Sequence, residues 1–253
     1  MQAVFLDKNS LDQNDLDFSA LTETAENWTF YDSTEKDERS DRIKHAEIIV
    51  SNKVVLDKDV LEKAENVKLI CVAATGTNNI DIEYAKSRDI RVCNVRAYGT
   101  PSVVQHVFTL LLMLMRNIPQ YQAAVKRGDW YKSHNFCLLD YPIEDLTGKT
   151  LGIVGYGELG QGVGKIADAF GMDVLIASYP GKVTDNKTVP FEQLLSEVDV
   201  LTLHCPLTAQ TTNLISKNEL AKMKPSAYLV NMARGGIVDE EALKNALIKG
   251  ELA

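Results

Sequence analysis

Residues 150–165 read TLGIVGYGELGQGVGK, and this stretch decides the fold. It opens on an apolar run, continues through Gly155, Gly157 and Gly160 in G-x-G-x-x-G spacing, and passes into a helical pattern. A second apolar run, MDVLIAS at residues 172–178, completes a strand–helix–strand unit. In that context the spacing predicts a site for the diphosphate of a dinucleotide.

Each of the three glycines has a separate physical role. Gly155 permits a tight turn, Gly157 lets the backbone approach a pyrophosphate, and Gly160 lets the helix pack closely on the strand. The helix N-terminus offers unpaired N–H groups and a partial positive charge, so the anion needs no lysine. The alternative, a glycine-rich turn without a ligand, is disfavoured by the strand and helix on either side.

Short β-like runs alternate with helical patterns on both sides of this unit, which predicts parallel sheets covered by helices. The predicted strands are AVFLD, WTFYD, AEIIVSN, KLICVAAT and IRVCN, then TLGIVG, MDVLIAS, VDVLTLHC and AYLVNMA. Helices DKDVLEKAENV and DIEYAKSRD each open on an acidic residue that can cap N–H groups.

The alternation of strand-like and helical patterns breaks at residues 98–101, which predicts a domain boundary. Thr100-Pro101 opens a long helix that is apolar nearly all round, and an irregular arm follows it. The expected fold is α/β, with two Rossmann-like doubly wound domains and the active site in the cleft between them. Residues 1–98 are expected to bind substrate, and residues 99–253 to bind NAD(P).

Composition disfavours several kinds of partner. The net charge of −8 leaves no basic face for nucleic acid or an anionic membrane. The N-terminus does not resemble a signal peptide, and the apolar run VFTLLLMLM is too short to cross a bilayer. The four cysteines show no metal spacing and suit a reducing cytoplasm, and Cys71 and Cys93 in apolar strands are expected to act as small hydrophobes.

The residue after the second strand bears on the choice of cofactor. An acidic residue there would accept from the ribose hydroxyls and repel a 2′-phosphate, whereas this chain has Ser178, with Lys182 beyond it. Serine can still bond a ribose hydroxyl, so NAD is predicted without excluding NADP. Pro180-Gly181 can also be read as a simple turn.

Two further strand ends lie at the edge where parallel sheets bind ligands. His204, Cys205 and Pro206 follow one strand, and Pro206 can form a wall of an adenine slot. Histidine at such a position is more often structural than an acid or base. Arg234 ends the next strand, where its planar fork suits a carboxylate or a ketone oxygen. The alternative is a surface arginine paired with Asp239.

The first domain follows the same logic. Thr75-Gly76 follows a buried strand and exposes backbone N–H groups that can hold a substrate carboxylate. Asn52 ends the neighbouring strand and is expected to line the same cleft. The alternative for both is an ordinary strand-to-helix turn.

These pieces together resemble the D-isomer-specific 2-hydroxyacid dehydrogenase family over essentially the whole chain. The specific motifs are GKTLGIVGYGELG, LHCPLT, ELAKMKPSAYLVNMARGGIVDE and ATGTNNID. The wording VSNKVV, SVVQH and NFCLLDYPIEDLTGK is more similar to the glycerate dehydrogenase (hydroxypyruvate reductase) branch.

The resemblance implies reversible reduction of hydroxypyruvate to D-glycerate, or of glyoxylate to glycolate, with a nicotinamide cofactor. It implies a homodimer formed through the cofactor domain, the long helix and the arm. It places the family's active-site arginine at Arg234 and extends the cofactor-binding set to Glu158, Leu159, Thr211, Met232 and Ala233. The competing interpretations are an NAD(H)-sensing corepressor on the same fold and a sibling dehydrogenase of another 2-hydroxy acid.

The family also uses a Glu and a His in D-V-x-x-x-E-P and P-H segments, which the resemblance places beyond the final GELA. None of the four histidines, His45, His106, His134 and His204, matches that His, and His106, in the buried helix, is expected to be a packing or cleft-lining residue. The sequence is therefore expected to be C-terminally truncated and to turn over very weakly.

Overall fold

The computed structural model describes residues 1–12, 14–178 and 188–253. They form two compact units, residues 1–98 and residues 99–253. The Pro180-Gly181 turn and Lys182 lie outside the described residues.

The first unit is built on five parallel strands in the order β2-β1-β3-β4-β5. The chain leaves β1 toward one side of the sheet and returns to the other, so the carboxyl ends of β1 and β3 form a topological switch point, where such sheets bind ligands. The strands are β1 (Gln2–Phe5), β2 (Asn27–Phe30), β3 (Ile48–Ser51), β4 (Leu69–Val72) and β5 (Arg91–Asn94). The helices are α1 (Ser19–Thr22), α2 (Arg39–Ile43), α3 (Lys58–Leu61) and α4 (Ile82–Ser87), and a short 3-10 turn spans Lys8–Ser10.

Local chemistry explains where the helices of this unit begin. The Asp57 carboxylate accepts from the Val60 N–H at 3.0 Å, and the Asp81 carboxylate accepts from the Tyr84 N–H at 2.9 Å. Both predicted acidic caps are confirmed, and so are all five strands. The helix predicted over DKDVLEKAENV is shorter than its pattern suggested, because α3 ends at Leu61.

The second unit carries four parallel strands in the order β7-β6-β8-β9, so its switch point lies between β6 and β8. The strands are β6 (Thr150–Val154), β7 (Asp173–Ala177), β8 (Val200–Leu203) and β9 (Tyr228–Asn231). The helices are α5 (Thr100–Met115), α6 (Ile118–Arg127), α7 (Asp129–Lys132), α8 (Glu158–Ala169), α9 (Phe191–Glu197), α10 (Lys217–Leu220) and α11 (Glu240–Lys249). Apolar clusters cover both faces of the sheet, as a doubly wound fold requires.

The long helix α5 differs from its prediction. Val107 and Leu111 are fully buried, on the face that packs against α8 and the sheet. Leu114 and His106 are exposed, so the helix is covered on one side only within its unit, and the expectation that His106 is buried is wrong. Among the described residues, no helix combines the length and apolar character needed to cross a membrane.

Candidate active site

The switch point of the second unit is formed by the backbone of two neighbouring strands. The His204 N–H donates to the Val154 carbonyl at 2.8 Å, which brings the chain beyond β8 against the glycine turn beyond β6. Gly155 has φ +93°, and a Cβ there would lie 2.6 Å from the Cys205 nitrogen. Only glycine combines this positive φ with this approach, so the first glycine of the pattern is needed for the turn.

The N-terminus of α8 is open. Gly157 is its N-cap, no side chain caps it within the described chain, and a Cβ on Gly157 would meet nothing within 4 Å. Gly160 is buried against the Gly155 carbonyl and the Ile153 side chain, and any Cβ there would collide with that carbonyl. The helix therefore presents first-turn amides beside space that none of the described residues fills, which is the arrangement that receives a phosphate anion.

Glu158 opens α8, and its side chain is tied to another helix. The Thr100 hydroxyl donates to Glu158 Oε1 at 2.7 Å, joining the first turns of α5 and α8. Leu159 follows, half-buried. A carboxylate is favourable at a helix N-terminus, but it also competes there with a bound anion. A role for Glu158 and Leu159 in binding the cofactor stays a prediction.

Ser178 directly follows β7, which pairs with β6, and it is half-buried. It therefore lies at the same sheet edge as the glycine turn, as the sequence predicted. Its role in binding ribose stays a prediction.

His204 is held by its own strand. Its Nε2 lies 3.0 Å from the Thr202 hydroxyl, and its buried Nδ1 has no hydrogen-bond partner in the described chain. Burial lowers the pKa of His204 to about 4. The ring is therefore neutral near pH 7, which disfavours it as a proton donor there. Burial also raises the pKa of the neighbouring Cys205 thiol, whose side chain packs in the core.

The loop after β8 is closed by Thr211. This fully buried side chain donates to the Pro206 carbonyl at 2.6 Å and accepts from the Thr208 N–H at 2.7 Å. Pro206 is exposed, as a wall of a binding slot would be. The Thr211 hydroxyl is used within its own loop, where it holds Pro206, and binding of the cofactor by Thr211 stays a prediction.

Arg234 lies three residues beyond the end of β9, so it belongs to the turn and not to the strand end that the sequence suggested. It is exposed, and its Nη1 donates to the Ala233 carbonyl at 2.8 Å. The alternative pairing with Asp239 is not formed among the described residues, because the Asp239 carboxylate caps α11 by accepting from the Ala242 N–H. Met232 and Ala233 are half-buried.

Asn231, which the sequence reading missed, shapes this turn. Its Oδ1 accepts from the Ala233 N–H at 3.0 Å, and its Nδ2 donates to the Arg234 carbonyl at 2.8 Å. An asparagine at the end of a strand is a known signal for such a side-chain-closed turn, and it was available in the sequence.

In the first unit the predicted residue Asn52 is turned inward. The Asn52 N–H donates to Oδ1 of the buried Asp7 at 2.9 Å, and the Lys53 N–H donates to the same carboxylate. The Asn52 side chain donates to Ser10 Oγ at 3.1 Å. Asp7 follows β1, so a carboxylate fills the β1–β3 switch point. Sequence reading missed this role of Asp7. Binding of substrate by Asn52 stays a prediction.

The Thr75-Gly76 loop follows β4 and is more open. Thr75 is exposed, and within the described residues the amides of Thr75, Gly76 and Thr77 donate to no acceptor. The Asn94 side chain donates to the Thr75 carbonyl at 2.8 Å and holds the loop from the next strand. Free amides after a buried strand suit a carboxylate ligand. Over the described ranges, no group of three or more potential ligand side chains is placed to hold a metal ion.

The comparisons with known proteins agree with this geometry. Residues 108–253 match the family described as "D-isomer specific 2-hydroxyacid dehydrogenase, NAD binding domain". The chain is 45% identical to a glycerate dehydrogenase from Methylorubrum extorquens, over 99% of this chain and 78% of that protein. The chain belongs to the D-isomer-specific 2-hydroxyacid dehydrogenase family.

Other members of the family point the same way. A hydroxypyruvate reductase from Blautia hydrogenotrophica is 38% identical over 100% of this chain and 80% of its own length. The structure of D-lactate dehydrogenase from Aquifex aeolicus, complexed with NAD and lactic acid, superposes with a TM-score of 0.84 at 29% identity, covering 99% of this chain and 74% of that one. This 2-hydroxyacid dehydrogenase is thus an NAD(P)-dependent oxidoreductase acting on a CH–OH donor, and the corepressor alternative is not favoured.

Proposed function

We propose that this dehydrogenase interconverts hydroxypyruvate and D-glycerate, or glyoxylate and glycolate. The names of the Methylorubrum and Blautia relatives support this substrate class, as does a glyoxylate reductase from Thermococcus litoralis that is 42% identical over 81% of this chain. The structural observation that carries the proposal is the uncapped N-terminus of α8 at the β6–β8 switch point. Arg234 lies exposed beyond β9, the strand that pairs with β8.

The proposed cofactor is NAD, held by the residues of the second unit. The amides of Glu158, Leu159 and Gly160 would take the diphosphate, because the helix end is open and glycine leaves room for it. The Ser178 hydroxyl would form a hydrogen bond with a ribose hydroxyl, and Pro206 would flank the adenine. When bound, the nicotinamide supplies or accepts the hydride.

Arg234 is the proposed catalytic residue. Its guanidinium is permanently charged and has no carboxylate partner in the described chain. It can therefore exchange its bond to the Ala233 carbonyl for the ketone oxygen and carboxylate of a 2-oxo acid. Negative charge grows on that oxygen during reduction, and a fixed cation stabilises it. The free amides of Thr75 and Gly76, together with Asn52, are the proposed substrate-binding groups.

The test replaces Arg234 and measures cofactor and substrate separately. For Arg234→Gln we expect unchanged NADH affinity by fluorescence titration and at least about tenfold weaker binding of oxalate, a non-reacting substrate analogue, to the NADH complex. Arg234→Lys should recover only part of this loss, because an ammonium lacks the planar fork. Arg127→Gln, on the exposed last turn of α6, is the matched control. Equal losses in both variants would reject the assignment.

The choice of substrate and cofactor needs its own measurement. We expect initial rates to be highest with hydroxypyruvate or glyoxylate, lower with pyruvate, and higher with NADH than with NADPH. Binding of oxalate, a non-reacting analogue of the substrate acid, to the NADH complex provides a readout that needs no turnover. A pyruvate rate above both of the other rates would favour a lactate-type dehydrogenase instead.

We further infer that the protein is a homodimer through the second unit. Three large apolar side chains of the arm stand almost fully in solvent: Tyr131 at 92%, Phe136 at 94% and Leu139 at 79% exposure. Leu114 on α5 is also exposed. An apolar surface of this kind is typical of an association site. Phe136→Asp should shift the sedimentation coefficient to that of a monomer, and a monomeric wild type would reject the inference.

We propose a reducing cytoplasm as its location. All four cysteines are free, including the exposed Cys93, which fits a compartment that keeps thiols reduced. Cell fractionation should recover the protein with cytoplasmic markers. Recovery with secreted or organellar markers would reject this location.

A further inference from the structure

Two loops of the first unit follow neighbouring strands and are joined at their far ends. The β3–α3 loop spans residues 52–57, and the β4–α4 loop spans residues 73–81. Leu56 in the first loop and Ile80 in the second form an isolated parallel bridge, and the Leu56 N–H donates to the Asn79 carbonyl at 2.7 Å. Both bridge residues are buried in the apolar core of the unit, so the two loops share one anchor.

The side chain of Asn79 adds a second bond between these loops. Its Nδ2 donates to the Val54 carbonyl at 3.0 Å, two residues beyond Asn52. Asn79 is half-buried, so this bond is partly shielded from water. Asn79 therefore holds the β3–α3 loop twice, by its carbonyl at Leu56 and by its side chain at Val54.

Other contacts fix the β3–α3 loop but do not reach the second loop. The Val54 N–H donates to Ser51 Oγ at 3.1 Å, and the Val55 carbonyl accepts from Nη1 of the buried Arg39 at 2.7 Å. Within the part of the chain that the structure describes, the bond from Asn79 Nδ2 is the one side-chain hydrogen bond that joins the two loops.

We propose that Asn79 is a positioning residue for the substrate acid, because it fixes the donors of one loop relative to those of the other. This inference rests on the proposed substrate role of Asn52 and of the Thr75 and Gly76 amides. One small carboxylate has to meet donors from both loops, and loops that moved independently would have to be ordered when it binds. Donors that are already held in place avoid that cost.

The Val54 carbonyl explains why the amide donor of Asn79 matters. Val54 is buried, so a carbonyl that loses this donor regains a partner only if the loop moves. That movement would displace Asn52 from Thr75, whose carbonyl is held at 2.8 Å by the Asn94 side chain. Asn79 thus acts through these donors and not by contact with the substrate.

The test compares two substitutions of Asn79 by the binding of oxalate to the NADH complex. Asn79→Ala removes the side chain, whereas Asn79→Asp keeps its size and replaces the amide donor with an acceptor. A residue that merely fills space would tolerate Asn79→Asp. We expect oxalate to bind both variants about two- to tenfold more weakly, which is the worth of one hydrogen bond, with unchanged NADH affinity.

Asn78 provides the matched control. It is exposed, it directly precedes Asn79, and its side chain forms no hydrogen bond within the described chain. Asn78→Asp introduces the same negative charge one residue away, so it measures how far charge alone weakens oxalate binding. Urea unfolding verifies that every variant is folded under the assay conditions. Wild-type oxalate affinity in Asn79→Ala, or a loss in Asn79→Asp no larger than in Asn78→Asp, would overturn the assignment.

Hydrogen exchange measures the coupling of the loops without any ligand. The Leu56 amide is bonded to the Asn79 carbonyl, and the Asp81 amide is bonded to the Leu56 carbonyl at 3.0 Å. We expect both amides to exchange about two- to tenfold faster in Asn79→Ala than in wild type, and at the wild-type rate in Asn78→Ala. Unchanged exchange in Asn79→Ala would reject the coupling by Asn79, whereas a wild type that binds NADH but no oxalate would reject the proposed substrate groups.

Discussion

A Cβ atom on Gly155 would lie 2.6 Å from the backbone nitrogen of Cys205. The two residues follow adjacent strands, and their contact is backbone against backbone, so neither side can yield by changing a rotamer. The glycine turn and the loop after β8 are therefore fitted to one another before any ligand arrives.

Gly155→Ala should consequently unfold the switch point. The positive φ alone costs about 1–3 kcal/mol for a residue with a side chain, and the collision adds to it. We expect a lower free energy of unfolding in urea and no measurable NADH binding. A variant with wild-type stability would show that the turn has an alternative conformation.

Gly157→Ala should separate binding from folding. Its φ of −80° is ordinary, and the new Cβ would meet no atom of the described residues within 4 Å. We expect unchanged stability in urea but at least about tenfold weaker NADH binding, because the methyl group would occupy the space beside the helix amides. Unchanged affinity would place the diphosphate elsewhere.

Asn231→Ala should loosen the turn that carries Arg234. It removes two hydrogen bonds, each worth about 0.5–1.5 kcal/mol, from an exposed residue. We expect oxalate binding to the NADH complex to weaken by about 10-fold or more, with little change in NADH affinity and a loss of at most about 1–3 kcal/mol in the free energy of unfolding in urea. Asn231→Asp retains the acceptor for Ala233, so it should lose less. Equal loss in Asn231→Ala and Arg127→Gln would contradict a positioning role.

Glu158→Gln should strengthen cofactor binding. The carboxylate shares the first turn of α8 with the proposed diphosphate, and like charges at an exposed site repel by about 0.5–1 kcal/mol. We expect NADH affinity at low salt to rise about two- to fivefold, with the gain shrinking as salt screens the charges. Thr100→Val, which frees the carboxylate, should act in the opposite direction. A gain that is independent of salt would argue against an electrostatic cause.

Stability should fall with acid through His204. The pKa of His204 is about 4 in the folded protein, below the ordinary histidine value of 6.5, so the unfolded state binds more protons below pH 6.5. The contribution is complete above pH 6.5 and is lost progressively down to pH 4, by about 3 kcal/mol at most. Urea unfolding at pH 7.5 and 5.0 should show a smaller acid loss in His204→Gln than in wild type. Identical losses would mean that other groups carry the pH dependence.

The sequence was sufficient to predict the two sheets and the glycine turn between β6 and α8. Strands of parallel sheets are continuous apolar runs, and the glycine spacing has few structural solutions, so β6, the turn at Gly155 and α8 were all predictable. The caps at Asp57 and Asp81 were equally local, because each carboxylate bonds an amide three residues on.

What the sequence did not reveal depends on distant pairings. Asp7 meets Asn52 across 45 residues, and no local pattern marks that meeting. The exposure of His106 depends on which side of α5 the sheet covers, since the apolar residues surround the helix almost evenly. Cys93 was predicted to act as a small hydrophobe, but it is exposed on the edge strand β5. Edge strands and central strands have similar compositions, so the sequence did not distinguish them.

The Asp7 carboxylate has a consequence for how many nucleotides one chain can accept. It accepts from two backbone amides, those of Asn52 and Lys53, and the Asn52 N–H is shared between both carboxylate oxygens, so an incoming phosphate would have to break these bonds and leave a buried negative charge uncompensated. Among the described residues, no side chain caps the helix at the equivalent crevice of the second sheet. Calorimetric titration should therefore saturate at a stoichiometry of one dinucleotide per polypeptide. Inhibitors that mimic a nucleotide are expected to bind at the second sheet and not at the first.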